Sequence, residues 1–240
     1  MKIIDAVWEL RNMGVVTKEI HVEDTDTNES VKTVLKELNC AYSVVKTPVA
    51  RIGLYQILTE LGYVFAEVSI GIVQNLNEIN YSSEVIRRMC SCLDFIKTRD
   101  LTRIDENIKK GMFTSDRVAL DPYFSMEQAA NRYVGWMGDE LNRGSQFFEY
   151  LYKDVPIGFL CLKEKARNEY YSVLGGLYPS GNIAPFGMAL LYKQLEIAKS
   201  LGGRVFTTNI SSNNITAVKA YSVCGFNFTS FSNVFIKHRS

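Results

Sequence analysis

One stretch constrains this chain more than any other. Residues 168–226 read NEYYSVLGGLYPSGNIAPFGMALLYKQLEIAKSLGGRVFTTNISSNNITAVKAYSVCGF. Tyr170 to Leu177 has the alternation of a strand and stops at Tyr178-Pro179. A polar turn containing Gly181 follows, then an amphipathic run from Gly187 to Ser200 with Leu190, Leu191, Leu195 and Ala198 on one stripe. Val205 to Ile210 reads as a second strand. It leads through an Asn-rich turn into a short helix ending at Cys224-Gly225. The pattern is strand, anion-sized turn, helix, strand, turn, helix.

The first of these turns admits two readings. It can be plain packing around a strand exit. It can also cradle phosphate oxygens, because a helix start leaves backbone N–H groups free and Gly187 allows close approach. Neither a GKS loop nor a GxGxxG fingerprint is present. In the second turn, Asn214, Ala217 and Tyr221 are spaced three and four apart, along one helical side. Asn214 can cap the helix. Tyr221 can be a core aromatic, or it can bring its hydroxyl to a cleft.

The remaining chain supplies supporting elements. Val15-Val16 reads as an edge strand. SVKTVLKEL reads as a helix after an Asp/Thr/Asn cap cluster, Cys40 to Val45 as a strand, and Pro48 as the opening of a helix ended by Gly62. Tyr63 to Val73 is the strongest strand of this half, and residues 1–80 read as a small N-terminal α/β domain. Ser125 with Gln128 predicts a capping box on MEQAANRYVGWMGDEL. Phe147 to Tyr152, a Lys153-Asp154 turn and Ile157 to Leu162 predict a meander feeding the central stretch. Phe226 onward supplies one last strand or a hairpin. No internal repeat is evident.

Composition excludes more than it selects. Lys+Arg is 27 against Asp+Glu 26, with no basic face, so nucleic acid is not an expected partner. No run reaches transmembrane length and the start lacks a signal core, so no membrane partner and a cytoplasmic location are expected. The five cysteines fit no metal spacing. Two histidines near opposite ends, His21 and His238, do not predict a zinc site or a Ser-His-Asp triad.

With these residues in view, the chain resembles the GNAT superfamily of acyl-CoA-dependent N-acetyltransferases over about residues 95–237. The resemblance rests on the Leu177-x-Pro179 strand exit, Gly187 with Leu190-Leu191, and NITAVKAYSVCGF at 214–226. It implies an α/β fold with a mixed, mostly antiparallel central sheet flanked by helices, preceded by the small α/β domain. It implies that residues 81–240 form the acetyltransferase domain. It implies acetyl-CoA as cosubstrate, bound by Leu177, Asn182, Ile183, Ala184, Phe186, Gly187, Met188, Asn214 and Tyr221. It implies further that the backbone amide of Leu177 polarises the acetyl carbonyl and that Tyr221 protonates the leaving thiolate.

The segment SDRVALDPYFSMEQAANRYVGW at 115–136 is similar to the two-domain TDP-fucosamine acetyltransferase type. This implies an acceptor site bordered by Arg117, Asp121, Tyr123, Arg132 and Trp136, for a small-molecule amine such as a nucleotide-linked amino sugar. Glu149, Asp121 and a water chain are open as bases, and a homodimer is open. The family's Arg-Gly-x-Gly-x-Gly turn here reads Asn182-Ile183-Ala184-Pro185-Phe186-Gly187. Pro185 has no N–H to donate. The alternative is a catalytically silent GNAT-like binding or structural protein.

Overall fold

The structure, a computed structural model, describes residues 1–179 and 186–239. Ten strands form one sheet. They are β1 (Lys2–Asp5), β2 (Thr17–His21), β3 (Tyr42–Pro48), β4 (Val64–Asn75), β5 (Leu93–Thr98), β6 (Gln146–Tyr152), β7 (Val155–Ala166), β8 (Glu169–Leu177), β9 (Val205–Ser211) and β10 (Asn227–His238). Their spatial order is β1-β2-β3-β10-β4-β9-β8-β7-β6-β5. Only β2–β3 and β8–β9 pair in parallel; the other neighbours are antiparallel.

The helices are α1 (Val7–Met13), α2 (Asn28–Glu37), α3 (Ile52–Glu60), α4 (Glu84–Ser91), α5 (Thr102–Lys109), α6 (Met126–Asn142), α7 (Gly187–Ser200) and α8 (Ile215–Val223). Strand alternation assigns them to layers. On β6 and β7, Phe148, Tyr150, Leu160 and Leu162 pack with α4, α7 and α8. Their alternate neighbours Phe147, Phe159 and Cys161 pack with α5 and α6 on the other face. A separate core of Ile20, Val31, Val45, Leu54, Leu58 and Phe235 lies under α2 and α3.

From β2 to β8 the sheet order is palindromic about the β10–β4 seam. The unit β2-α2-β3-α3-β4 repeats as β8-α7-β9-α8-β10. The last three elements of each unit have equal lengths, and their starts, 42 and 205, 52 and 215, 64 and 227, are all 163 residues apart. Each unit gives its last strand to the other, so β10 sits beside β3 and β4 beside β9. The sheet therefore runs unbroken past residue 80. The sequence shows no such repeat because few paired residues are identical: Ile52 with Ile215, Gly62 with Gly225, Phe65 with Phe228 and Ser69 with Ser232.

Local chemistry explains most of the elements. Ser125 and Gln128 form the expected capping box on α6. Lys153 and Asp154 both take positive φ, 50° and 62°, as a two-residue hairpin turn of matching twist requires. Pro48 departs from expectation: it is the last residue of β3, and α3 begins only after Arg51. The chain beyond Phe226 is a single strand. α1 was not anticipated. Its N-cap, Ala6, makes no side-chain cap bond, and its first residue, Val7, is exposed.

Candidate functional site

The site begins where two parallel strands part. β8 and β9 pair only from Glu169↔Val205 to Ser172↔Thr208. The next residue, Val173, is an extra residue in the β7–β8 ladder, where the register steps from Leu162↔Ser172 to Cys161↔Leu174. Such a bulge bends its strand. β8 then continues to Leu177 along β7 alone, while β9 stays with β4. Glycines make the close β7–β8 approach sterically feasible. A Cβ on Gly158 would lie 2.3 Å from the Gly176 carbonyl oxygen, and one on Gly175 would lie 2.7 Å from that of Phe159.

The divergence leaves backbone donors aimed into the gap. Tyr178 donates its N–H to the Ile157 carbonyl at 2.8 Å. N–H direction alternates along a strand, so the preceding N–H, that of Leu177 opposite Gly158, points away from β7. No β9 residue stands opposite it. Gly175 is oriented alike.

A cavity of about 720 Å³ occupies this gap and reaches both faces of the sheet. On the α7/α8 side it is lined by Gly187, Leu190, Gln194, Asn214, Ala217 and Tyr221. On the α6 side it meets Trp8, Glu19, Glu67, Arg117, Arg132 and Trp136. Trp8, Glu19 and Glu67 come from the N-terminal unit and its leading helix.

Tyr221 is buried, and its hydroxyl accepts from Gln194 Nε2 at 3.2 Å. Gln194 Oε1 in turn accepts from Ser172, whose carbonyl accepts from Thr208 Oγ1. This chain fixes the phenol and leaves its own proton uncommitted. Burial pushes the phenol up to about 12, against the opposing hydrogen bond from Gln194, so it is protonated at neutral pH. Asn214 is the N-cap of α8, its Oδ1 accepting from the Ala217 N–H at 3.0 Å. Gly187 opens α7, and an added Cβ there would meet nothing within 4 Å. Phe186 packs on Tyr152 with ring centroids 4.6 Å apart and does not fill the gap. Met188 is exposed and does not line the cavity. Asn182, Ile183 and Ala184 lie outside the described residues.

The residues expected at an acceptor site divide. Arg117, Arg132 and Trp136 line the cavity. Arg117 is buried and bridges Glu19 at 3.1 Å and Glu9 at 3.8 Å; Arg132 holds Glu9 at 2.8 Å and Asp116 at 3.4 Å. Burial raises the Glu19 carboxyl, but His21, Arg117 and Lys46 outweigh it and hold it well below the ordinary range. Asp121 and Tyr123 lie elsewhere. Asp121 bonds His238 at 2.7 Å, and Tyr123 stacks on the same imidazole at 4.1 Å. Glu149 is tied to the Tyr178 hydroxyl and Arg103, outside the cavity lining.

Sequence reading missed Gln194, Ser172 and Glu67. A glutamine inside the apolar stripe of α7 was the available signal for the first. Nothing local marked Glu67, because its strand belongs by sequence to the other half.

A mixed sheet opened at a bulge between two parallel strands, with a helix start facing the opening, is a fold shared with solved GCN5-related N-acetyltransferases. A solved acetyltransferase of this kind from Sphaerobacter thermophilus matches with a TM-score of 0.64 at 12% identity, over 99% of this chain and 75% of that one. A tandem GNAT protein from the clavulanic acid biosynthesis pathway matches at 0.56 and 8% identity, over 92% and 75%. A glucosamine N-acetyltransferase region of a fungal multi-domain β-N-acetylglucosaminidase matches at 0.54 and 8% identity, over 81% of this chain and 25% of that one. No protein-family model matches the sequence, and no curated protein does.

Proposed function

We propose that the protein moves an acetyl group from acetyl-CoA to the primary amine of a small molecule by direct attack. The observation that carries this reading is the β8–β9 gap, with the Leu177 N–H, which has no β9 partner, on one strand and the protonated phenol of Tyr221 in the lining. Acetyl-CoA would supply the activated acyl group as a thioester. The Leu177 N–H would bond the carbonyl oxygen as charge develops on it, a preorganised donor worth ~3 kcal/mol. Tyr221 would give its proton to the departing sulfur. Asn214 would hold the pantetheine arm, and the turn through Asn182, Ile183 and Ala184 into Gly187 the pyrophosphate.

On the acceptor side Trp136 offers a stacking surface. Arg117 and Arg132 are already neutralised by Glu9, Glu19 and Asp116. A diphosphate carrier would have to break those pairs, so a free amino sugar or comparable small amine is favoured over a nucleotide-linked one. The proposed division at residues 80/81 then separates a half that shapes the acceptor side from a half that carries the transfer.

The test is thiol release from acetyl-CoA across a panel of primary amines, including glucosamine and a nucleotide-linked amino sugar. Tyr221→Phe should lower kcat at least tenfold with acetyl-CoA affinity retained. An unchanged rate would remove Tyr221 from the acid role. No thiol release with any amine would favour the silent binding-protein reading.

A further inference from the structure

Six carboxylates are buried among the described residues: Glu9, Glu19, Glu67, Asp121, Glu140 and Glu149. Five have a cationic or histidine partner. Glu9 has Arg132, Glu19 has Arg117 and Lys46, Asp121 has His238, Glu140 has Arg143 and Lys163, and Glu149 has Arg103. Glu67, only 7% exposed, forms no ion pair among the described residues. Its one hydrogen bond there comes from the Ser211 hydroxyl to Oε2. Arg117 feels its charge, but the ion-pair contacts of that guanidinium go to Glu19 and Glu9.

A buried carboxylate without an ion-pair contact is costly, and proteins seldom keep one without use. Glu67 lines the cavity. On β4 it alternates with Ile72, which packs in the α7/α8 core, so Glu67 faces the α6 side. Two residues further on, Ser69 pairs with Ser211 at the end of the β4–β9 ladder, where the gap opens. The carboxylate thus stands on the acceptor face, across the sheet from Tyr221.

We propose that Glu67 is the binding residue for the ammonium group of the acceptor. The acceptor arrives as a cationic primary amine, and its charge supplies the ion-pair partner that Glu67 lacks among the described residues. The ammonium must then release a proton to solvent before its nitrogen can attack the thioester. The exchanged strand gives this a structural consequence. The N-terminal unit supplies the acceptor's counter-charge to a cleft built by the C-terminal unit. The proposal relies on the acetyl-transfer reading only for naming the cation an acceptor.

The test is done without acetyl-CoA, so its failure is distinct from a failure to bind that cosubstrate. Wild type and Glu67→Gln are titrated with glucosamine and with phenethylamine, both primary ammonium ions. N-acetylglucosamine serves as a control of similar shape without the charge. At least one of the two amines should bind wild type and lose affinity at least tenfold in the variant, with N-acetylglucosamine indifferent to the substitution. The ligand-free variant should melt higher than wild type by about 3 °C, since a buried carboxyl group without an ion-pair contact has been replaced by a neutral amide. Equal amine affinities in the two proteins, or no binding to either, would overturn the proposal. So would a lower melting temperature for ligand-free Glu67→Gln, which would mark Glu67 as a structural residue.

Discussion

The two repeated units share a topology and differ in one event. In the N-terminal unit β2 and β3 stay paired from Thr17↔Tyr42 to His21↔Lys46, and Val22 N–H extends the contact to the Lys46 carbonyl. In the C-terminal unit the pairing stops after four residues, at a bulge, and β8 runs on alone. The positions that flank the opening differ accordingly. Where the C-terminal unit has Asn214 and Tyr221, the N-terminal unit has Arg51 and Leu58 at the same offset. The Arg51 guanidinium donates to the Glu23 and Asp26 carbonyls and to Asn28, tying down the loop before α2. Leu58 is fully buried in the core beneath α2 and α3. A parallel pair flanked by helices is therefore not enough for a cleft. In the opened unit a bulge, glycines that let the strands close in beside it, and a polar residue on the following helix accompany the cleft.

The largest effect that would break this comparison is expected between the units. Glu19→Ala removes the counter-charge shared by Arg117 and Lys46 and should cost about 3–5 kcal/mol, the usual result of breaking a buried pair. Its pH signature has a definite sign. The folded carboxyl is depressed, so its stabilisation is present above the unfolded carboxylate pKa and lost as pH falls towards the folded value. Acid unfolding of wild type should be steeper than that of the variant. Parallel acid limbs in urea melts across pH 3–6 would contradict the ion-pair account.

A smaller effect should come from the bulge. Gly158→Ala places a Cβ against the Gly176 carbonyl and 3.1 Å from Leu177 Cα, both backbone. It should cost about 2–3 kcal/mol by overpacking and weaken acetyl-CoA binding, because the Leu177 N–H is displaced. The counterpart on the closed side is Gly53→Ala on α3, whose Cβ meets only the Asn28 side chain at 3.1 Å. That substitution should leave acetyl-CoA binding unchanged. Equal losses from both would show that the effect is general destabilisation.

The smallest concerns caps and phenols. Asn214→Ala should cost about 1 kcal/mol through loss of the α8 N-cap. With the Tyr221 phenol at about 12, activity should show no basic limb from this group near the ordinary tyrosine value of 10. A limb there that disappears in Tyr221→Phe would refute the burial argument.

Much of this was legible in the sequence, and the divide is physical. α7 was read with its true ends because a glycine start, an apolar stripe and a following Gly-Gly are local signals. The same holds for the α6 capping box and the Lys153-Asp154 turn. Gly187, Asn214, Tyr221 and Leu177 were named through the family resemblance, and the fold brings the four to one cavity. The strand exchange was not, since ladder partners such as Ser69 and Ser211 are far apart in sequence and carry no mutual signature. The charge network was equally hidden: Arg117 reads as a free anion binder until Glu9 and Glu19 are seen against it. Asp121 and Tyr123 looked like site residues because of their neighbours, yet they close on His238 at the end of β10.

The most direct measurement is a calorimetric titration of acetyl-CoA into the full chain. One opened cleft and one closed counterpart predict saturable binding at one site per chain, with Kd below ~1 mM, the weak end of ordinary substrate affinities. Two equivalent sites would contradict the closure of the N-terminal unit, and no binding would contradict the role given to the β8–β9 gap.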